Sequence, residues 1–84
     1  MTSNSSEKIN EEIKVIMLFG KDNMPLWLVW RQRRIRIKKV NLKFCNKKGE
    51  TYRHYFYVND SNGNDYKLCF DAVNLSWILE EISF

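Results

Sequence analysis

The strongest constraint on the fold is the run from Pro25 to Phe44, which is apolar as far as Trp30 and then carries most of the positive charge over a strand-like alternation of apolar and polar residues. A period of two places every second side chain on one face of a β-strand, so this run predicts strands rather than helices. The polar segment Gln32-Arg33 interrupts the run, and pairing Trp30 with Ile35 across it produces a hairpin, although neither turn residue is the Gly or Asn that a two-residue primed turn favours. One face of this hairpin is apolar over both strands and carries Leu26, Leu28, Trp30, Ile35 and Ile37.

The apolar phase of the second strand shifts by one position at Lys38-Lys39. In this strand the apolar residues before Lys38 are Ile35 and Ile37, at odd positions. The apolar residues after Lys39 are at even positions: Val40, Leu42 and Phe44. One extra residue at Lys38-Lys39 restores a continuous apolar face, which predicts a β-bulge in a long, bent strand. A break into two separate strands is the alternative. A bent strand can serve two edges of a small barrel or of a strongly curled sheet.

Turn signals at regular spacing divide the chain into six predicted strands. The clearest turn is Ser61-Asn62-Gly63-Asn64, and the strands beside it are expected to pair Val58 with Tyr66. Strand starts about eight to twelve residues apart predict an all-β fold, a six-stranded antiparallel meander in up-and-down order. Pairing of the last strand with the first would make it a small barrel, and a strongly curled sheet is the alternative. Residues 1–12 lack periodic apolar positions and are predicted to form a flexible, disordered N-terminal tail, which leaves 13–84 as a single small β domain.

Length, hydropathy and cysteine content restrict the class of protein further. A chain of 84 residues allows one domain with a thin core. No run approaches the roughly 20 apolar residues of a membrane helix, and the N-terminus lacks the apolar core of a signal peptide, so we expect a cytoplasmic protein with no membrane contact. Cys45 and Cys69 belong to no CxxC pair, and we expect both to remain reduced thiols.

The positive charge is concentrated in the middle of the chain. Residues 13–53 contain twelve Lys or Arg and two acidic residues, a net charge of +10, whereas the whole chain has +4. Six of these cations fall within the nine positions from Arg31 to Lys39. Cations for phosphates beside aromatic platforms for bases are typical of small β folds that bind single-stranded nucleic acid. The candidate nucleic-acid-binding residues are Arg31, Arg33, Arg34, Arg36, Lys38, Trp27, Tyr55 and Tyr57.

Two other interpretations of the basic segment stay open. Alternating cations can simply solvate an exposed strand face and protect a sheet edge from aggregation. The same Arg-rich face can instead dock an acidic protein surface, which would make the chain a protein–protein interaction module. The nucleic-acid and protein-docking hypotheses differ in their response to salt and in their need for aromatic faces.

No catalytic, metal or cofactor site is predicted. His54 is the only histidine, and no Cys, Asp or Glu lies at ligand spacing beside it. A metal site built from His54, Cys45 and Cys69 would need three strands to converge and would still lack a fourth strong ligand. The neighbours Glu80 and Glu81 point to opposite faces of a strand and cannot act as a carboxylate pair. The sequence therefore predicts a non-enzymatic protein without a cofactor.

A set of strand and turn positions spread over residues 13–82 carries a family resemblance: Pro25, Leu28, Trp30, Arg31, Arg33, Arg34, Tyr55-Phe56-Tyr57-Val58, Gly63, Tyr66-Lys67-Leu68, Asp71 and Trp77-Ile78-Leu79. This set resembles the DUF6504 family of small bacterial domains of unknown function. The chain departs from the family pattern at Gln32, where the family has Gly, at Ile35, where it has an aromatic residue, and at Phe44, where it has Trp. The resemblance implies a bacterial cytoplasmic protein with no known activity, and an association with error-prone DNA polymerases implies an accessory role in DNA repair.

Overall fold

A computed structural model describes residues 5–84, apart from the side chain of Lys48, and shows a fold built from β-strands. Among these residues there is no helix long and apolar enough to cross a membrane. The strands are β1 (Ser6–Leu18), β2 (Met24–Trp30), β3 (Arg33–Arg36), β4 (Lys39–Lys48), β5 (Thr51–Asn59), β6 (Asp65–Asp71) and β7 (Ser76–Ser83). The all-β class predicted from the alternation is confirmed.

The seven strands form one antiparallel sheet in the order β3-β2-β1-β7-β6-β5-β4. Every neighbouring pair except β1 with β7 joins strands that are consecutive in the chain. The last strand pairs with the first, as expected for a sheet that curls back on itself. The up-and-down order of the meander is therefore confirmed, with seven strands in place of the predicted six.

The additional strand arises because the chain breaks at Ile37-Lys38, between β3 and β4. The Ile37 N–H donates to the Leu26 carbonyl oxygen (2.9 Å) on β2, whereas the Lys38 N–H donates to the Asn59 carbonyl oxygen (2.8 Å) on β5. Two consecutive amides thus connect the chain to opposite ends of the sheet, which curls into a half-barrel. The prediction of one strand with a bulge at Lys38-Lys39 is wrong, and its alternative, a break into two strands, is what the structure shows.

A bulge does occur further along, at Asn41 in β4. Val40 and Leu42 pair with consecutive residues of β5, Val58 and Tyr57, so Asn41 has no partner across the ladder. An extra residue of this kind reverses the faces of all the side chains that follow it.

The bulge changes which side chains of β4 face the core. Lys43 lies opposite the buried Phe56 and shares its face, and Cys45 follows on the same face. Leu42 and Phe44 lie on the convex face instead, where they are 52% and 40% exposed. The prediction that they continue the apolar inner face is therefore wrong.

The core lies on the concave side of the sheet. Four side chains on four different strands are completely buried there: Leu28, Val58, Leu68 and Leu79. Other buried apolar side chains complete the cluster: Ile13, Ile37, Phe56, Tyr66 and Ile82. Full burial of one such aliphatic side chain contributes about 1.5–3 kcal/mol relative to exposure. On the convex side, Ile16 and Leu18 of β1 remain exposed, so residues 5–84 do not cover this part of the sheet.

The register of β5 against β6 is as predicted. Val58 lies opposite Tyr66, and Phe56 lies opposite Leu68. Gly63 in the connecting turn has a φ of 85°, a conformation that favours glycine. The sequence signal was strong here because a glycine-containing turn and clean alternation on both strands agree.

The β2–β3 hairpin turns at Arg31-Gln32, one residue earlier than predicted. Trp30 pairs with Arg33, and Leu28 pairs with Ile35. Both turn residues have positive φ, 51° and 63°, as in a type I′ turn that normally selects Asn and Gly. The predicted pairing of Trp30 with Ile35 is wrong, because this turn carries no glycine to mark it in the sequence.

Replacing Gln32 by glycine is expected to stabilise the fold by about 0.5–1 kcal/mol. Glycine removes the steric cost of the left-handed conformation, which is about 1–2 kcal/mol, and loses part of that gain through its larger backbone entropy in the unfolded chain. Thermal unfolding followed by circular dichroism should show a rise in Tm of several degrees, at about 4–8 °C per kcal/mol. The control Gln32→Ala keeps the steric cost and should show no such rise. A lower Tm for Gln32→Gly would contradict the turn geometry.

β1 begins at Ser6, inside the segment predicted to be a tail. Residues 6–8 pair with β7, and Ser5 and Phe84 exchange two backbone hydrogen bonds of 3.0 and 2.8 Å. The assignment of 6–12 to a flexible tail is therefore wrong, because backbone hydrogen bonds can hold a strand of polar residues against a neighbour. The predicted tail also includes residues 1–4, which lie outside the described residues.

Candidate nucleic-acid interface

The convex face of the β2–β3 hairpin brings together one tryptophan and two arginines. Trp27 lies opposite Arg36, and Arg34 lies opposite Val29 on the same face. The guanidinium carbons of Arg34 and Arg36 are 5.6 and 5.8 Å from the centre of the Trp27 ring, within the range of cation–π attraction. Neither arginine forms an ion pair with a carboxylate in residues 5–84. The three side chains Trp27, Arg34 and Arg36 are called the Trp27 cluster below.

Arg31, in the hairpin turn, is occupied by other contacts. Its Nη2 donates to Glu11 Oε2 at 2.6 Å, and its guanidinium lies 4.5 Å from the centre of the Trp30 ring. The Trp30 indole N–H donates to the other oxygen of Glu11 at 3.0 Å. The hydrogen bond from Arg31, followed by that from Trp30, holds the pKa of the Glu11 carboxyl below its ordinary value. Arg31 therefore ties the hairpin to β1 and has little charge left to offer a phosphate.

Arg33 lies on the opposite side of the hairpin from the Trp27 cluster. It pairs with Trp30, which packs against the core on the concave side. There it lines a polar cleft of about 310 Å³ together with Asp60 and Asn64, and Arg34 and Arg36 of the terminal strand β3 also border this cleft. The sequence grouped Arg33 with Arg34 because they are adjacent, but adjacent strand residues point to opposite faces.

Lys38 extends the cationic surface toward β4. The exposed residues Arg34, Arg36 and Lys38 alternate with Ile35 and Ile37, which pack on the core side. Exposed cations at alternate positions therefore follow the convex edge of the sheet as far as the bend. Their spacing along an extended chain is about 6.6–6.8 Å.

Tyr55 and Tyr57 form a separate aromatic group on β5. The rings of both stack on Phe44, with centroids 5.0 and 6.0 Å away. Lys67 Nζ lies 5.3 and 5.8 Å from the centres of the two tyrosine rings and is also 3.4 Å from Glu80. In the sheet order β5 is separated from β2 by β1, β7 and β6. Of the eight candidate residues, three therefore form the Trp27 cluster and two belong to this second group, whereas Arg31, Arg33 and Lys38 belong to neither.

Sequence reasoning missed a cavity at the other end of the sheet. A cleft of about 490 Å³ lies between β4 and the turn after β1, with Lys43, Cys45 and His54 among its lining residues. Cys45 is exposed and lies directly opposite His54 across the β4–β5 ladder. The bulge at Asn41 places Lys43 and Cys45 on the inner face, so the alternation in the sequence could not reveal them, whereas His54 lies on the inner face of β5 two positions before the buried Phe56.

The fold is a small, curled antiparallel β-sheet, and the arginines of the Trp27 cluster on its convex face have no carboxylate partner in residues 5–84. Comparison of the chain with protein-family models, with curated proteins and with solved structures finds no match. The resemblance to the DUF6504 family stays a prediction.

Proposed function

We propose that the chain is a non-enzymatic module that binds single-stranded nucleic acid through the Trp27 cluster and Lys38. The observation that supports this most is a pair of guanidinium groups held beside one tryptophan ring without any carboxylate partner in residues 5–84. Arginine side chains offer planar donors to phosphates, and both an indole ring and a guanidinium plane can stack on bases. If the cations only solvated an exposed strand face, that role would not require Trp27 beside them.

The shape of the sheet favours a single strand over a duplex. The Trp27 cluster lies on the convex side of a curled sheet. Its strand β2 also pairs with β1, so within residues 5–84 the hairpin that carries the cluster is part of the sheet and is not a free arm that could enter a major groove. Unpaired bases can instead lie on the half-buried Trp27 ring and the guanidinium planes while phosphates contact Arg34, Arg36 and Lys38. The unpaired thiols Cys45 and Cys69 support placing this function in a reducing compartment such as the bacterial cytoplasm.

The proposal is tested by fluorescence anisotropy with a labelled oligonucleotide, as a single strand and as a duplex, at several salt concentrations. We expect the single strand to bind more tightly. Neutralisation of three to four phosphates should produce a slope of about −2 to −3 in log affinity against log salt. Equal or tighter binding of the duplex, or a slope near zero, would contradict the proposal. Binding of an acidic polypeptide in place of the oligonucleotide would instead identify a protein-docking surface.

Substituting Trp27 should weaken single-strand binding by about 1–3 kcal/mol, or roughly 5- to 150-fold, if the ring stacks on a base. Trp27→Leu is the informative variant, because leucine keeps apolar contact with the sheet but has no flat aromatic face. Tyr57→Leu removes an aromatic ring from the second group and serves as the matched control, with no more than about a twofold expected change. Equal losses for the two variants, measured in the same anisotropy titration, would show that the Trp27 cluster is not the base-stacking site.

A further inference from the structure

The cleft beside β4 has walls made mostly of aromatic rings. Phe70 and Trp77 have centroids 4.9 Å apart, and Phe56 lies 5.3 Å from Trp77 on the other side. His54 continues the series, 6.2 Å from Phe70. Met17 adds a flexible apolar side chain. With a volume of about 490 Å³, the cleft falls within the usual range of pockets for small molecules, about 300–1,000 Å³.

The charged and polar lining residues of this cleft are Asn23, Lys43, Cys45 and His54. Lys43 is its only formally charged lining residue, and no Asp or Glu lines it. Lys43 forms no ion pair in the part of the chain that the structure describes. β4 is also a terminal strand of the sheet, so one of its edges has no strand partner. A lysine on an apolar, aromatic wall matches a carboxylate on a flat apolar body.

The geometry points to a binding site for a small aromatic carboxylate, with the ring between Phe70, Trp77 and Met17 and the carboxylate on Lys43. Aromatic walls at interplanar angles of 42° to 44° favour a planar ring, because edge-to-face and offset contacts with such a ring stabilise it beyond simple burial. This site shares no residue with the Trp27 cluster. The two binding proposals can therefore be tested independently, and failure of one does not affect the other.

The two cysteines provide a direct measure of whether the cleft is occupied. Cys45 lines it and is exposed, whereas Cys69 is 1% exposed and lies elsewhere. In the native protein, iodoacetamide should therefore alkylate Cys45 and leave Cys69 unmodified, as mass spectrometry of peptides can establish. Saturating 1-naphthoate should slow alkylation of Cys45 by at least about fivefold. Its neutral isostere 1-naphthalenemethanol should need a concentration about tenfold higher for the same protection, because it cannot pair with Lys43.

Two pairs of variants complete the experiment, with ligand-observed saturation-transfer NMR as a readout that does not need the thiol. Lys43→Met should reduce the tenfold preference for the acid to less than about twofold, while Lys39→Met, on the same strand but outside the cleft, should preserve it. Cys45→Trp should fill the cleft and abolish binding, while Asn46→Trp should not. All four substitutions are at exposed positions of β4, and circular dichroism checks that each variant folds. The inference is overturned if millimolar naphthoate leaves the alkylation rate unchanged, if the alcohol binds as well as the acid, or if Lys39→Met acts like Lys43→Met.

Discussion

Asp60→Ala is expected to destabilise the fold by roughly 3 kcal/mol, a large loss for a domain of this size. Asp60 is 8% exposed, and its carboxylate accepts four hydrogen bonds in the turn between β5 and β6. The donors are the backbone N–H groups of Asn62 (2.8 Å) and Asn64 (3.0 Å), the Asn64 side-chain amide (3.0 Å) and the Tyr66 hydroxyl (2.7 Å). Alanine would leave the hydroxyl of the buried Tyr66 without this acceptor, and an unsatisfied buried donor costs about 1–3 kcal/mol by itself.

The measurement is thermal unfolding, in which Tm should fall by roughly 15 °C at about 4–8 °C per kcal/mol. Tyr66→Phe removes only one of the four donors and should cost about 1 kcal/mol. A decrease in Tm below about 4 °C for Asp60→Ala would show that the turn does not depend on this carboxylate.

Asp60 also predicts how stability depends on pH. Burial alone would raise the pKa of Asp60, but the hydrogen bonds from Tyr66, Asn64 and Asn62 outweigh it and hold that pKa below its ordinary value. A carboxyl whose pKa is lowered by folding stabilises the protein above its unfolded pKa of about 4, and this stabilisation is lost as the pH falls through the folded value. Asp60→Asn should therefore flatten the decline of Tm below about pH 4, relative to the unsubstituted protein.

The double charge reversal Arg34→Glu with Arg36→Glu is expected to abolish single-strand binding, a loss of at least about a hundredfold, while the fold stays intact. Both side chains are exposed on the convex face, opposite Val29 and Trp27, so neither contributes to the core. The substitutions remove two phosphate contacts and introduce two carboxylates that repel the backbone.

Net charge needs its own control, since this double reversal lowers the formal charge of the chain from +4 to 0. Lys21→Glu with Lys47→Glu makes the same change at exposed positions outside the Trp27 cluster. It should weaken binding only slightly through the long-range field, which salt screens. Comparable losses for the two double variants in anisotropy titrations would mean that net charge, rather than the cluster, accounts for binding.

The parts of the fold that could be predicted are those where local chemistry and side-chain pattern agree. Gly63 marks its turn, and the alternation on both sides of it sets Val58 against Tyr66, as found. The positions that could not be predicted depend on tertiary structure. The bulge at Asn41 and the type I′ turn at Arg31-Gln32 have no glycine to announce them, and a bulge or a shift in register decides which face each later side chain occupies.

The candidate surface was predictable only within one hairpin. Trp27, Arg34 and Arg36 share a face because the period of a strand dictates it once β2 and β3 pair. Tyr55 and Tyr57 were expected beside them, but β3 and β4 bond to opposite ends of the sheet, which separates the two groups. The sequence alone could not show that Arg31 is unavailable for nucleic-acid binding. Its partner Glu11 lies 20 positions away, on a segment predicted to be a tail.

The central claim, that the Trp27 cluster receives a single strand, is tested most directly by NMR titration of the isotope-labelled protein with an unlabelled single-stranded oligonucleotide. We expect the largest shift changes at the Trp27 indole N–H, at the Arg34 and Arg36 side chains and at the backbone of β2 and β3. The Phe44, Tyr55 and Tyr57 signals should change far less. Perturbations centred on those three residues, with the Trp27 indole signal unmoved, would contradict the account.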